Sequence, residues 1–316
     1  MNKCFITKLP SSVDNDNLPV LGRLTINWLK QSDLADNDQR GIVLSTNDNI
    51  TVKVSGAHLT DSTLASNLGN TKTITAADGR VPLYISNDTD ALLTIDNKYS
   101  LTILAVANSI ENKIDHPIYF DIDDIKYCTN LTYLELTNCP ISGDISVLNK
   151  LTNLTSLNLT NTHINGNISE VSNFTNLTNL QLSGSKISGN IDSLASLTKL
   201  KDLGLMYISL TGDMSKIPAN INCISQQGRK IDSNFTWTAN GRKNATFLAM
   251  VGAVPFDTVS MDNMLIDQAT CTFKGNDSWP WTKIISVSGT RTSASDAAVE
   301  TIQSMGVTIT GVTKQA

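Results

Sequence analysis

Between residues 130 and 214 the chain repeats itself at a fixed interval, and this constrains its fold more than anything else in the sequence. Leu131, Leu154, Leu177 and Leu200 stand 23 residues apart. So do Leu134, Leu157, Leu180 and Leu203, and then Leu136, Leu159, Leu182 and Leu205. Ile141, Ile164, Ile187 and Leu210 form the next column, followed by Ile145, Ile168, Ile191 and Met214, and glycine recurs at Gly143, Gly166, Gly189 and Gly212. A unit this short cannot bury its own leucines, so copies must stack side by side and share one continuous core. The pattern L-x-x-L-x-L-x-x-x-x-I-x-G-x-I assigns a direction to each column. In a short strand alternate side chains face opposite ways, so Leu134 and Leu136, with Leu131 before them, point inward while Tyr133, Glu135 and Thr137 point outward. The glycine supplies a bend that a Cβ would hinder.

Stacked in register, these strands form one parallel sheet, and the pattern resembles the leucine-rich repeat, closest to its L-x-G-x-I variety. The column that usually holds Asn holds Cys139, Thr162 and Ser185, which can still donate to backbone carbonyls, while Ile208 breaks it. Leu148, Val171, Leu194 and Ile217, with Leu151, Phe174 and Leu197, continue the period on the convex side and predict short helical or 3₁₀ turns there. Ile122 and Cys128 mark a degenerate first unit, and Ile221 and Ile224 fit a last unit shortened by two residues. Terminal units must differ, because something polar has to cover the exposed core.

The flanks read differently. Ile50-Thr-Val-Lys-Val54 alternates strictly, and Val81–Ile85 and Leu101–Ile103 are further apolar runs, separated by turn clusters at Asn47–Asn49, Asp78-Gly79 and Asn87-Asp88. They predict a small antiparallel β-rich domain over residues 20–112, preceded by an extended arm at 1–19. The repeats occupy 113–232. After 233 the period is expected to end, and residues 233–316 read as an α/β cap. Its predicted strands are 246–250, 283–287 and 307–309, with a helix from Ser260 to Ala269. A second helix is opened by a capping box at Ser293–Asp296 and closed by Gly306. The fold class is therefore α/β, a solenoid with a β-rich domain before it and an α/β cap after it.

Composition excludes several functions. The chain of 316 residues contains 32 Asn and 36 Thr but only three His, and its net charge is −5. Such acidity argues against a nucleic-acid-binding surface, and the scarcity of His argues against most His-dependent catalysis. The five cysteines, Cys4, Cys128, Cys139, Cys223 and Cys271, include no C-x-x-C pair and read as buried free thiols. No G-x-S-x-G, H-E-x-x-H, phosphate loop or dinucleotide fingerprint occurs, so neither an enzyme nor a cofactor is expected. Asp14, Asp16, Asp36 and Asp38 sit in D-N-D runs that lack the Gly or Glu of a calcium loop and read as turns. Asp121, Asp123 and Asp124 could bind a cation or line a solvated entry to the repeats. The first residues lack the apolar run of a signal peptide, and no apolar stretch approaches a membrane span, so a soluble protein made in a reducing cytoplasm is expected. The N-x-S/T triplets, such as those at Asn130, Asn153 and Asn176, follow from the repeat itself.

The positive signal is the concave face. Its outward positions are Tyr133, Glu135 and Thr137, then Ser156, Asn158 and Thr160, then Asn179, Gln181 and Ser183, then Asp202 and Gly204. Apart from one tyrosine they are small, polar and nearly uncharged, without the Trp, Tyr and Arg anchors of protein–protein hot spots. They suit a polysaccharide or another weak polyvalent ligand, or a merely solvated sheet.

Two end segments carry a second resemblance: Phe5-Ile-Thr-Lys-Leu-Pro10 with Asn15-Asp-Asn-Leu-Pro19, and Ile285-Ser-Val-Ser-Gly-Thr-Arg-Thr-Ser-Ala-Ser-Asp-Ala-Ala-Val299. They are similar to segments of leucine-rich-repeat proteins of gut Bacteroides and of their crAss-like tailed phages. That resemblance implies a virion appendage, a head or tail fibre or decoration protein that leaves the cell by lysis. The arm would be its attachment device, with Lys3 and Lys8 flanking Phe5 and Ile6, and Leu9 and Leu18 beside the prolines. Expected partners are other virion proteins, further copies in a dimer or trimer, and a host-surface polysaccharide, with no nucleic acid and no membrane. A bacterial surface adhesin and a cytoplasmic scaffold are the alternatives, the first requiring an export signal and the second a more aromatic face.

Overall fold

The structure, a computed structural model, describes residues 23–28, 40–55, 59–60, 67–85, 91–108, 118–221, 223–225, 235–242, 248–271 and 283–315. Its centre follows from the leucine columns. Tyr133–Glu135, Ser156–Asn158, Asn179–Gln181, Asp202–Gly204 and Cys223–Ser225 pair in parallel. Leu134 lies opposite Leu157, Leu180 follows, then Leu203, and Leu203 lies opposite Ile224 in the shortened last unit. All four of these leucines are buried in one core that runs the length of the described chain. The fold is of the leucine-rich-repeat type.

The convex side carries the expected 3₁₀ turns, at Ile145–Lys150, Ile168–Asn173 and Ile191–Ser196, with a shorter one at Met214–Lys216. It also carries a second parallel ladder that the pattern did not announce: Ser142–Asp144, His163–Asn167, Lys186–Asn190, Ser209–Asp213 and Phe235–Thr236. The glycine column sits inside this ladder. At Gly166 φ is +113°, and a Cβ there would fall 2.8 Å from Asp144 Oδ1. Asp144 cannot withdraw, because with Asp121, Asn167, Asn190 and Asp213 it forms a column of caps, each accepting the amide two residues on at the mouth of a 3₁₀ turn.

Seven further Asn and Thr side chains tie one unit to the one before. Asn130, Asn153, Asn176 and Asn220 donate Nδ2 to Tyr99, Thr129, Thr152 and Thr198 carbonyls respectively. Thr132, Thr155 and Thr178 donate Oγ1 to Thr102, Thr132 and Thr155 carbonyls. Within the repeats these Asn and Thr columns act as inter-unit staples. The Asn-substituting column behaves unevenly. Thr162 Oγ1 donates to Leu159 O at 2.8 Å, and Cys139 Sγ reaches two carbonyls at 3.5 Å. The buried Ser185 hydroxyl has no partner among the described residues, contrary to expectation.

At the N-terminal end the sheet does not stop. Leu101–Asn108 pairs in parallel with Tyr133–Glu135, placing Leu104 opposite Leu134, and in antiparallel with Arg40–Thr46. The concave sheet thereby becomes part of a thirteen-stranded sheet among the described residues. A five-stranded antiparallel sheet of Ile118–Tyr119, Leu24–Trp28, Ala91–Asp96, Ile50–Ser55 and Thr71–Ile74 accompanies it. Ile42 and Leu44 of the long sheet and Leu24, Ile26, Val52, Leu93 and Ile95 of the short one are all buried in the shared core.

At the other end Ala249–Pro255, Ile284–Arg291 and Thr308–Lys314 continue the parallel sheet. The crossovers between them are α1 (Thr258–Gln268) and α2 (Asp296–Ser304). Three sequence expectations are corrected here. The period outlives residue 233 on the convex side, where Gly212 pairs with Phe235 and Asp213 with Thr236, still 23 residues apart. The strand expected at 246–250 runs Ala249–Pro255, with 246–247 outside the described residues. Finally, no capping box opens α2: its N-cap, Ser295, makes no side-chain cap bond, and a 3₁₀ turn at Ser293–Ser295, capped by Thr292 Oγ1 accepting from Ala294 N, precedes it. Gly306 closes α2 with φ of +78°, as its position suggests.

Candidate ligand-binding surface

Parallel pairing turns the outward positions into rows. Tyr133, Ser156, Asn179 and Asp202 stand abreast, and Glu135, Asn158, Gln181 and Gly204 form the next row. Thr137, Thr160 and Ser183 follow at the strand ends. The structure therefore brings the concave residues together on one face. The arm residues Lys3, Phe5, Ile6, Lys8, Leu9 and Leu18 lie outside the described residues, as do Asp14, Asp16, Asp36 and Asp38.

The rows are not equivalent. Ser183 is buried and its Oγ accepts from Met206 N at 3.1 Å, so it serves the backbone of the next unit. Gln181 Oε1 lies over Gly204, where a Cβ would collide with it. Asn179 Oδ1 is buried with no partner among the described residues. Asp202 is exposed at the far end.

Tyr133 and Glu135 anchor the near end. Tyr133 Oη donates to Glu135 Oε2 at 2.5 Å, Thr137 Oγ1 to Glu135 Oε1 at 3.1 Å, and Asn158 Nδ2 to the same oxygen at 3.5 Å. Asn158 Oδ1 in turn accepts from Thr160 N at 3.0 Å. Burial first, and then bonding to and the charge of Glu135, push the Tyr133 hydroxyl up to about 12 despite the opposing Arg80. It is a neutral donor throughout the physiological range.

Arg80 is the residue that sequence reasoning missed. Its guanidinium carbon lies 5.2 Å from the centroid of the Tyr133 ring, a cation–π distance. The segment that carries it comes from the β-rich region, between the 3₁₀ turn Ala76–Asp78 and the strand Val81–Ile85. Asp78 shapes that turn by accepting from Thr75 N at 2.7 Å and Thr75 Oγ1 at 2.9 Å, and Gly79 follows with φ of +64°. The Asp78-Gly79 signal was visible, but only as a spacer between strands. The concave face thus has the arginine anchor that its own repeat lacks.

The other sequence candidates lie elsewhere. His163 belongs to the convex ladder opposite Ser142. Asp121 caps its 3₁₀ turn, and Asp123 lies 3.8 Å from Lys126. Among the described residues no group of three or more His, Cys, Asp or Glu could hold a metal ion. Cys128, Cys139 and Cys271 are buried free thiols, and burial pushes Cys128 up to about 11 and Cys139 up to about 12. Among the described residues no helix is long and apolar enough to cross a membrane.

A polar, partly pre-bonded concave face on a leucine-rich-repeat solenoid defines a class of surface rather than a reaction. No protein family and no curated protein matches the chain. Solved structures similar to it include the leucine-rich-repeat ectodomain of the Arabidopsis thaliana receptor kinase GASSHO1/SCHENGEN3 in complex with CASPARIAN STRIP INTEGRITY FACTOR 2. That likeness has 16% identity, 61% of this chain, 22% of that one and a TM-score of 0.41. A plant ice-binding protein is similar at 18% identity over 54% of this chain and 52% of that one, with a TM-score of 0.37. The BIR2 ectodomain of Arabidopsis thaliana is 30% identical over 32% of this chain and 53% of its own, with a TM-score of 0.28. The chain therefore spans from about a fifth to about half the length of these proteins.

Proposed function

We propose that this chain is a non-enzymatic structural protein of a phage virion, a head or tail fibre or decoration protein, whose repeats present a glycan-binding concave face. The observation that carries the reading is the line of outward residues Ser156, Asn158 and Thr160 along one repeat, beside the Tyr133–Glu135 pair. It offers hydroxyl and amide groups at fixed strand spacing, one aromatic edge and little net charge, which matches the alternating polar and apolar faces of a sugar chain. The similarity of the two end segments to phage appendage proteins supplies the setting. Residues 1–19 would fasten the protein to the particle and to further copies in a dimer or trimer. Mass spectrometry of purified particles tests the setting: the protein is expected among virion components, and its absence would end that reading. A variant beginning at Leu21 should melt as the full chain does yet fail to incorporate.

A further inference from the structure

We propose that the ligand of the concave face is an acidic saccharide, whose carboxylate is seated on Arg80 and whose hydroxyls lie along Ser156, Asn158 and Thr160. This rests on the glycan reading above and narrows it. Three features support it, beginning with the exposure of Arg80. Among the described residues no carboxylate stands within ion-pair distance of it. A guanidinium held over an aromatic ring keeps its planar fork oriented and presents paired N–H donors, the geometry that fits a carboxylate.

The neighbouring anion, Glu135, is already closed. Its oxygens accept from Tyr133, Thr137 and Asn158, so it has little need of a further donor from the ligand or from Arg80. Tyr133 directs its hydroxyl hydrogen to Glu135. What this end of the face still offers is the Arg80 fork and the neighbouring hydroxyls.

Asp202 gives the face a polarity. It is exposed and stands three strands from Tyr133 in the same row, about 14 Å at ordinary strand spacing. A ligand carboxylate is attracted by the Arg80 guanidinium, which faces the opposite charge of Glu135 across Tyr133, and meets a second carboxylate at the Asp202 end. A carboxylated sugar unit therefore seats at the junction of the β-rich region and the first repeat, with the neutral remainder toward the later repeats.

The test uses the full chain, a uronic-acid-containing hyaluronan hexasaccharide and the same hexasaccharide with its carboxylates reduced to alcohols, compared by titration calorimetry. The carboxylated form should bind about tenfold tighter than the reduced form, and the preference should weaken as salt rises. Arg80→Gln should erase the preference without moving the melting temperature, because the side chain is exposed. Arg80→Lys should restore only part of it, since a point charge lacks the fork. Equal binding of the two forms, or a preference that survives Arg80→Gln, would overturn the acidic assignment and leave the glycan reading standing. Binding of neither form would overturn both.

Discussion

The two ends of the solenoid are closed by different chemistry. At the entry, sheet continuity does the work: Leu104 takes the place of a repeat leucine opposite Leu134, and Phe120, Ile122 and Ile125 complete an apolar seal. At the exit the units widen from 3₁₀ turns to α-helices, and the last convex loop turns its carbonyls inward. Arg242, buried, donates to the carbonyls of Ile217, Pro218, Ala219 and Ile221. Buried Asp267 accepts from Trp237 Nε1, Asn240 N and Arg242 N, while Asp262 accepts from Thr292 and Ser295. At the entry the closing groups are apolar side chains and the neutral Thr46–Ser100 hydroxyl pair, whereas at the exit freed backbone groups are met by buried charge.

Leu157→Asp should have the largest effect, several kcal/mol and loss of the folded state, because it buries an unpaired carboxylate in the core both ends share. Circular dichroism would check this, and a folded variant would mean that the inward face is misassigned. Arg242→Leu should cost about 4 kcal/mol by leaving several carbonyls without donors. Leu104→Ala at the entry should cost about 3 kcal/mol through its cavity. Denaturant titration reads both variants. A cost at Arg242 no greater than that of a surface arginine would remove the distinction between the ends.

Acid should separate the ends further. Burial alone would raise Asp213 and Asp262, but hydrogen bonds from Ser215 and Thr238 to the first, and from Ser295 and Thr292 to the second, hold both below the usual carboxylate range. A depressed folded value gives stability that is full above the unfolded value, near 3.8, and is lost as pH falls through the folded one. At the entry the reverse holds. Burial raises Asp124, with Lys98 opposing, so its ionisation opposes folding and acid relieves that strain. Amide hydrogen exchange between pH 7 and pH 3 should show protection falling first around Ser215, Thr238 and Thr292. Simultaneous loss at both ends would contradict the contrast. The smallest effect belongs to Ser156→Ala on the concave face, about 0.5 kcal/mol and a few degrees of melting temperature at most, read by thermal denaturation.

What the sequence determined by itself is the part governed by local period. A leucine every few positions, repeated in register, makes Leu134, Leu157, Leu180 and Leu203 one buried column whatever surrounds them. The same logic reached the 3₁₀ turns, the two-residue shortening at Ile224, the closing glycine at Gly306 and the outward rows. It did not reach the convex ladder, because Ser142–Asp144 and its successors are polar and carry no alternation. It found an apolar run at Leu101–Ile103 but not its parallel pairing with the first repeat, since Leu104 stands thirty residues before Leu134 rather than one period. Two meetings of distant charged and polar groups, Arg80 over Tyr133 and Arg242 under the last convex loop, came only from the tertiary structure. A single charged side chain has no period, and its partner depends on where a turn such as Thr75–Asp78 points after the sheets have paired. Burial of apolar columns is additive along the chain and can be read from it, whereas the geometry that brings one arginine to one ring exists only once the whole stack is assembled.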